Sequence, residues 1–267
     1  MKIAIITGAS SGLGREYARQ IDRSGEVEEI WAVARRELQL NELADELKCR
    51  VRPLALDLTD KASIDKISGL LRRENLEVHI LINAAGFGRE GGSFSIPRED
   101  NENMIDLNCR AAVDMTSEAV PYMRKGGRIL ELCSCAGFMP LPRLNIYAAS
   151  KAFLLSYTKA IHHELLFSGI NVTAVCPYWV KKTEFLHKMK KYESKNIRHF
   201  PFASRPPSVV RWSMAASCMN VWVVSPNPFF MCLRLIAKFI PHFILVPLWD
   251  VLRRTSKIGR ASCRERV

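Results

Sequence analysis

The first fourteen residues constrain the fold more than any other stretch of this chain. Met1-Lys2-Ile3-Ala4-Ile5-Ile6 is a short apolar run that reads as a buried strand, and it passes directly into Thr7-Gly8-Ala9-Ser10-Ser11-Gly12-Leu13-Gly14. Glycines spaced G-x-x-x-G-x-G allow a tight turn, let the backbone approach a pyrophosphate, and let the following helix pack closely on the strand. The N-terminus of that helix, patterned over residues 12–24, would then face the phosphates.

The same alternation continues downstream. Apolar runs predict strands at 3–7, 29–34, 51–56, 78–83, 128–134 and 170–176, and helical patterns fall near 12–24, 37–48, 61–74, 98–124 and 147–168. Near-continuous apolar strands between helices imply a parallel sheet covered on both faces, an α/β, doubly wound Rossmann-type fold. With 267 residues and 48% hydrophobic content, the chain can fill one large core, and we expect a single domain over 1–257 with a substrate or lid region at about 181–257. Ligands in such sheets bind at the carboxyl ends of the strands.

The chemistry-bearing residues fall at such positions. Tyr147 and Lys151 are one helical turn apart, with Ser134 upstream. An ammonium held near a phenol favours phenolate, so Lys151 is expected to lower the Tyr147 pKa toward the range a general acid/base needs. The set Gly8/Gly12/Gly14, Asn83-Ala84-Ala85-Gly86, Asn108, Ser134, Tyr147 and Lys151 resembles, in order and spacing, the short-chain dehydrogenase/reductase superfamily from residue 1 to about 185. It is most similar to the subgroup that oxidises or reduces simple carbonyls.

The resemblance implies an NAD(P)-dependent oxidoreductase that moves a hydride between a nicotinamide and a carbonyl or secondary alcohol. Tyr147 would be the acid/base, Lys151 would hold the nicotinamide ribose, Ser134 would orient the substrate oxygen, and Asn108 would place a water in a proton relay. Cofactor contacts are expected at Gly8, Ser10, Ser11, Gly12, Leu13 and Gly14, at Asp57 and Leu58 beside the adenine, at Asn83, Ala84 and Gly86, and at Tyr147 and Lys151. After the sixth strand the run is Cys176-Pro177-Tyr178-Trp179-Val180-Lys181-Lys182-Thr183. Tyr178 stands where the family often has glycine, and Thr183 sits one residue late, so Pro177, Val180 and Thr183 complete the expected set from a shifted pattern. Tyr178 and Trp179 suit a bulky apolar substrate, steroid-, acyl- or ketone-like.

Arg35 and Arg36 follow the second strand, about where an Asp would accept the ribose hydroxyls of NAD. A guanidinium there suits a 2′-phosphate, so NADP(H) is expected over NAD(H), although Ser11 is not the basic residue many NADP-binding relatives carry. No metal is expected: Cys133 and Cys135 would share a strand face as buried thiols, and His162 and His163 would pack or lie on the surface of a helix.

Charge is uneven. Residues 1–180 hold 22 Lys/Arg against 23 Asp/Glu, whereas 181–267 hold 17 against 4. Such a field favours anionic partners, phospholipid or an acyl thioester before nucleic acid, for which there is no recognition motif. Phe229, Leu233, Ile236, Ala237 and Ile240 recur at helical spacing with Arg234 and Lys238 beside them, and Pro241 and Pro247 are expected to break the apolar run. This segment reads first as a lid and subunit contact in a homo-oligomer and second as a helix lying on a membrane, with possible peripheral contact through 228–252. A non-catalytic nucleotide-binding or membrane-surface scaffold is the alternative to an enzyme. The N-terminus lacks an export signal, which points to reduced thiols and a cytoplasmic protein, with association to a membrane as the alternative. Residues 258–267 read like translated read-through of a sequencing adapter and are expected to be non-native.

Overall fold

The computed structural model describes residues 1–74, 76–92, 94–181, 183–189 and 203–261. Seven strands form one parallel sheet: β1 (Lys2–Thr7), β2 (Glu29–Ala34), β3 (Arg50–Ala55), β4 (Glu77–Asn83), β5 (Arg128–Leu132), β6 (Asn171–Val175) and β7 (Val223–Val224), in the order β3-β2-β1-β4-β5-β6-β7. The chain winds outward from β1 in both directions, so the order reverses between β1 and β4, and a crevice opens there at the strand ends. Pro53 is tolerated in β3 because that strand is an edge and has a ladder on one side only.

Both faces of the sheet are buried. Ile3 and Ile5 of β1 pack with α3 (Lys61–Glu74) and α5 (Ala111–Ala119), through Ile64, Ile67, Leu71, Met115 and Ala119. Ala4 and Ile6 point the other way, toward α1 (Gly12–Ser24), α2 (Glu37–Glu46) and α8 (Pro206–Cys218), through Tyr17, Ile21, Leu40, Leu43 and Val210. A strand apolar on both sides is what a parallel sheet covered on both faces requires. The remaining helices are α4 (Arg98–Ile105), α6 (Asn145–Glu164), α7 (Glu184–Met189), α9 (Pro228–Phe239) and α10 (His242–Ala261).

Four expectations need correction. The helix read over 98–124 is not continuous: α4 passes through a π-helical turn, Asp106–Arg110, into α5, and ends in a 3₁₀ turn at Val120–Tyr122. The strand read to 134 stops at Leu132, because the Cys133 N–H turns back to Glu131 O (2.9 Å). Cys133 and Cys135 therefore share no strand face, and Cys135 instead opens a 3₁₀ turn with its thiol donating to Cys176 O (3.2 Å). Pro247 does not break the last helix. It is the sixth residue of α10, where losing its N–H removes one bond near the helix start. Elements α8 and β7 had no sequence expectation. The backbone of α10 runs through four residues of the suspected tail, and 262–267 lie outside the described residues.

Candidate active site

The site begins at the turn after β1. Gly8 has φ +71°, and a Cβ on it would lie 2.9 Å from Ala85 N. A Cβ on Gly14 would lie 2.3 Å from Gly8 O, so the first turn of α1 can close on the strand only as glycine. Ser11 precedes α1 in an extended conformation with no side-chain cap bond, leaving first-turn N–H groups directed at the crevice. Thr7 ties this turn to the next one, since its Oγ1 accepts from Ala85 N (3.0 Å) and lies within reach of Ile82 O (3.4 Å).

A cleft of about 340 Å³ lies over these turns. Of the residues expected from sequence, Gly8, Ser10, Ser11, Gly12, Leu13, Gly14, Arg35, Arg36, Asp57, Leu58, Ala84, Gly86, Ser134, Tyr147, Lys151, Pro177, Val180 and Thr183 line it. Asn83 and Asn108 do not; they stand behind it. Asn83 Nδ2 donates to Glu131 Oε1 (2.8 Å) and Thr116 Oγ1 (3.0 Å). Asn108 lies in the π-helical turn and clamps Phe87 with both ends of its amide, accepting from Phe87 N (3.0 Å) and donating to Phe87 O (2.9 Å). A Cβ on Gly86 would sit 2.8 Å from Asn108 Oδ1 and 3.3 Å from Lys151 Nζ, so the three converge at that point. An inserted π turn of this kind is a common device for re-aiming a functional side chain.

Helix α6 carries Tyr147 and Lys151. Tyr147, Lys151, Leu154, Thr158 and Ile161 recur on its buried face, which presses the phenol and the amine toward the sheet. Lys151, 4% exposed, donates from Nζ to Leu132 O (2.7 Å). Burial pulls its pKa down from the ordinary lysine value, against the pull of the neighbouring thiols and Glu131. Tyr147 departs from expectation. Burial raises its pKa well above the ordinary phenol value, and a hydrogen bond with Ser134 opposes that without cancelling it. The phenol therefore holds its proton firmly. Ser134, two residues beyond β5, caps the 3₁₀ turn Cys135–Phe138 by accepting from Ala136 N (3.1 Å), and meets the phenol across the cleft.

At the opposite end, Arg36 donates to both Glu184 carboxylate oxygens (2.9 Å each) and to Ser10 Oγ (3.0 Å), joining the end of β2 to α7. Arg35 is more open, 3.5 Å from Asp57 Oδ2. Burial of Asp57 pushes its pKa up, but hydrogen bonds from Thr59 and the Arg35 charge outweigh it, leaving the carboxyl below its usual range. Thr183, despite its shifted position, faces the glycine turn: its Cγ2 would lie 3.7 Å from a Cβ on Gly12.

The outer walls are apolar and largely unforeseen. Met139, Leu141, Leu144, Phe185, Phe230 and Trp249 join the expected Tyr178 and Trp179. Phe185 packs against the Tyr147 ring at 5.6 Å, and Phe230 of α9 stacks on Tyr178 at 3.7 Å. These side chains come from four separate elements, so no local spacing announces them. Elsewhere His162 has the packing role expected, its Nδ1–H donating to Val172 O (2.7 Å).

A family model described as short chain dehydrogenase matches residues 2–194. An uncharacterized oxidoreductase of Staphylococcus epidermidis is 31% identical over 203 residues, covering 73% of this chain and 87% of its own. A very-long-chain 3-oxoacyl-CoA reductase of Pyricularia oryzae is 37% identical over 188 residues, 66% of this chain, which spans 56% of that protein. A solved short-chain dehydrogenase from Sphingobium yanoikuyae, in complex with NADPH, superimposes with a TM-score of 0.76 at 27% identity, over 100% of this chain and 96% of that one. Sheet order, glycine turn and the Ser134, Tyr147 and Lys151 cluster agree with these likenesses, and the chain belongs to the short-chain dehydrogenase/reductase family of oxidoreductases.

Proposed function

We propose that the protein reduces a bulky apolar ketone, of the 3-oxoacyl thioester class, with NADPH preferred and NADH accepted. One observation carries this reading: Ser134, Tyr147 and Lys151 open into a cleft whose inner end is the glycine turn and whose outer walls are Leu141, Phe185, Phe230 and Trp249. The tightly packed Gly8–Gly14 turn, with the N-terminus of α1 above it, fits a pyrophosphate. Arg35 and Arg36 would hold a 2′-phosphate, Asp57 and Leu58 the adenine end, and Lys151 the nicotinamide ribose. The bound dinucleotide supplies the hydride. Ser134 hydrogen-bonds the substrate carbonyl oxygen and fixes its orientation, and the Tyr147 hydroxyl delivers its proton to that oxygen as it becomes an alkoxide. Asn108, locked on Phe87, steadies the loop in front of Lys151; a relay water beside it belongs to the same proposal.

The acyl assignment draws on the apolar walls, on the basic excess after residue 180, and on the named activity of the Pyricularia oryzae relative. NADPH oxidation, followed by the loss of the reduced-nicotinamide absorbance, tests it. We expect turnover with long 3-oxoacyl thioesters and bulky ketones, and loss of about 10²–10⁴-fold in Tyr147→Phe with dinucleotide binding intact. Wild-type activity in that variant would refute the assignment.

A second reading concerns α9 and α10. Their inner residues Phe230 and Trp249 face the cleft, while Phe229, Leu235, Phe239 and Phe243 stand exposed on the outside. Among the described residues no helix is long and apolar enough to cross a membrane. The outer face therefore suits either an anionic bilayer surface or a second subunit. Flotation with phosphatidylserine vesicles supports the first, and a concentration-dependent mass in light scattering supports the second.

A further inference from the structure

Glu131 is a fully buried carboxyl in the middle of the sheet, and the reaction outlined above makes no use of it. It is the register partner of Asn83 across β4 and β5, and its Oε1 accepts from Asn83 Nδ2 (2.8 Å) and Thr116 Oγ1 (2.8 Å). Its Oε2 has no hydrogen-bond partner among the described residues. A glutamine would supply the same Oε1 acceptor without the cost of burying an ionisable group. The hydrogen bonds alone thus give no reason for an acid, and its charge calls for a separate account.

The groups around it point to one. From α6 it faces Lys151 and Tyr157, from its own strand Cys133, while β4 and α5 bring the neutral Asn83 and Thr116. Lys151 is the cation of this group, and its Nζ is held on Leu132 O, the residue next to Glu131. We infer that Glu131 is a positioning residue: from behind β5 it anchors Asn83, and with it the turn to Gly86, and it supplies the opposing charge that keeps the buried Lys151 an ammonium. This rests on the reading of Lys151 as the amine beside the reacting phenol. Burial lowers the Lys151 pKa, and the neighbouring thiols and Glu131 oppose it; removing the carboxylate takes away part of that opposition and favours the neutral amine. The carboxyl in turn is pushed up by burial to about 7, with hydrogen bonds from Asn83 and Thr116 and the Lys151 charge restraining it.

Two measurements decide the matter. In Glu131→Gln the alkaline limb of the kcat profile moves down by about half a pH unit or more, and KM for the dinucleotide rises several-fold. Thr116→Val, which removes a hydrogen bond but no charge, leaves the limb in place. A glutamine variant with the wild-type profile and KM overturns the inference. The second needs no turnover: infrared spectra of protein carrying ¹³C-labelled glutamate follow the buried carboxyl through its titration, in wild type and in Lys151→Met. Loss of the amine raises the carboxyl midpoint; an unchanged midpoint overturns the coupling. Because that experiment uses no substrate, it stands even where no ketone is reduced, and it decides the question should Glu131→Gln not fold.

Discussion

The two ends of the cleft are built by different means. The inner end, from β1 through the Asn83–Gly86 turn, is a backbone construction: Gly8 and Gly14 let main chains meet at distances no side chain permits, and the sheet register fixes where they meet. The outer end is a side-chain construction in which Phe185, Phe230 and Trp249 arrive from three helices, and Phe230 is held by stacking on Tyr178. Backbone geometry cannot be adjusted in small steps, whereas aromatic walls can be re-cut one residue at a time. A scaffold that fixes one ligand and varies another gains from this division.

The sharpest way to break the comparison is at Gly14. Gly14→Val places a branched side chain where even a Cβ meets Gly8 O at 2.3 Å, and we expect loss of ~4 kcal/mol or more, read as failure to accumulate folded protein or to bind dinucleotide. A valine variant with normal thermal stability would show that the turn is not rigid. Next comes pH. Because the Glu131 pKa is raised from 4.5 unfolded to about 7 folded, the folded state binds the proton more tightly; stability is fully present below about 4.5 and declines as pH rises to about 7. The loss is on the order of 2–3 kcal/mol, and hydrogen exchange should register it at β4 and β5 but not at α9. Third, Arg36→Ala removes the guanidinium between Ser10 and Glu184, and NADPH should lose about 1–2 kcal/mol of affinity, roughly tenfold, while NADH is nearly unaffected. Equal losses for both dinucleotides would move the 2′-phosphate contact to Arg35. Smallest, Phe230→Ala should raise KM for long acyl substrates by about tenfold or less and spare short ketones, because it trims one wall of the outer end.

Much of the inner end was legible from sequence. Strand–turn–helix alternation, the glycines and the Tyr147/Lys151 spacing are local patterns, and the sheet places them at one crevice because parallel strands all end on the same side. The reading failed where the pattern was not local. A helical period cannot show that Asp106–Arg110 inserts a π turn, since the extra residue leaves the apolar recurrence nearly intact. Nor could it show that Cys135 leaves the strand, which depends on where Cys133 finds its hydrogen bond. The Tyr147 pKa was misjudged because spacing on a helix reports proximity to Lys151 and not the depth of burial that outweighs it.

The sequence by itself determined the parallel α/β architecture and the position of the glycine turn after β1, because strand periodicity and glycine spacing are written in consecutive residues. Tertiary structure alone decided that Glu131 and Asn83 stand opposite each other across β4 and β5, and that Phe230 and Trp249, 52 and 71 positions beyond Tyr178, close one pocket with it. Those meetings depend on sheet order and helix docking, and residues brought together by packing leave no periodic trace along the chain.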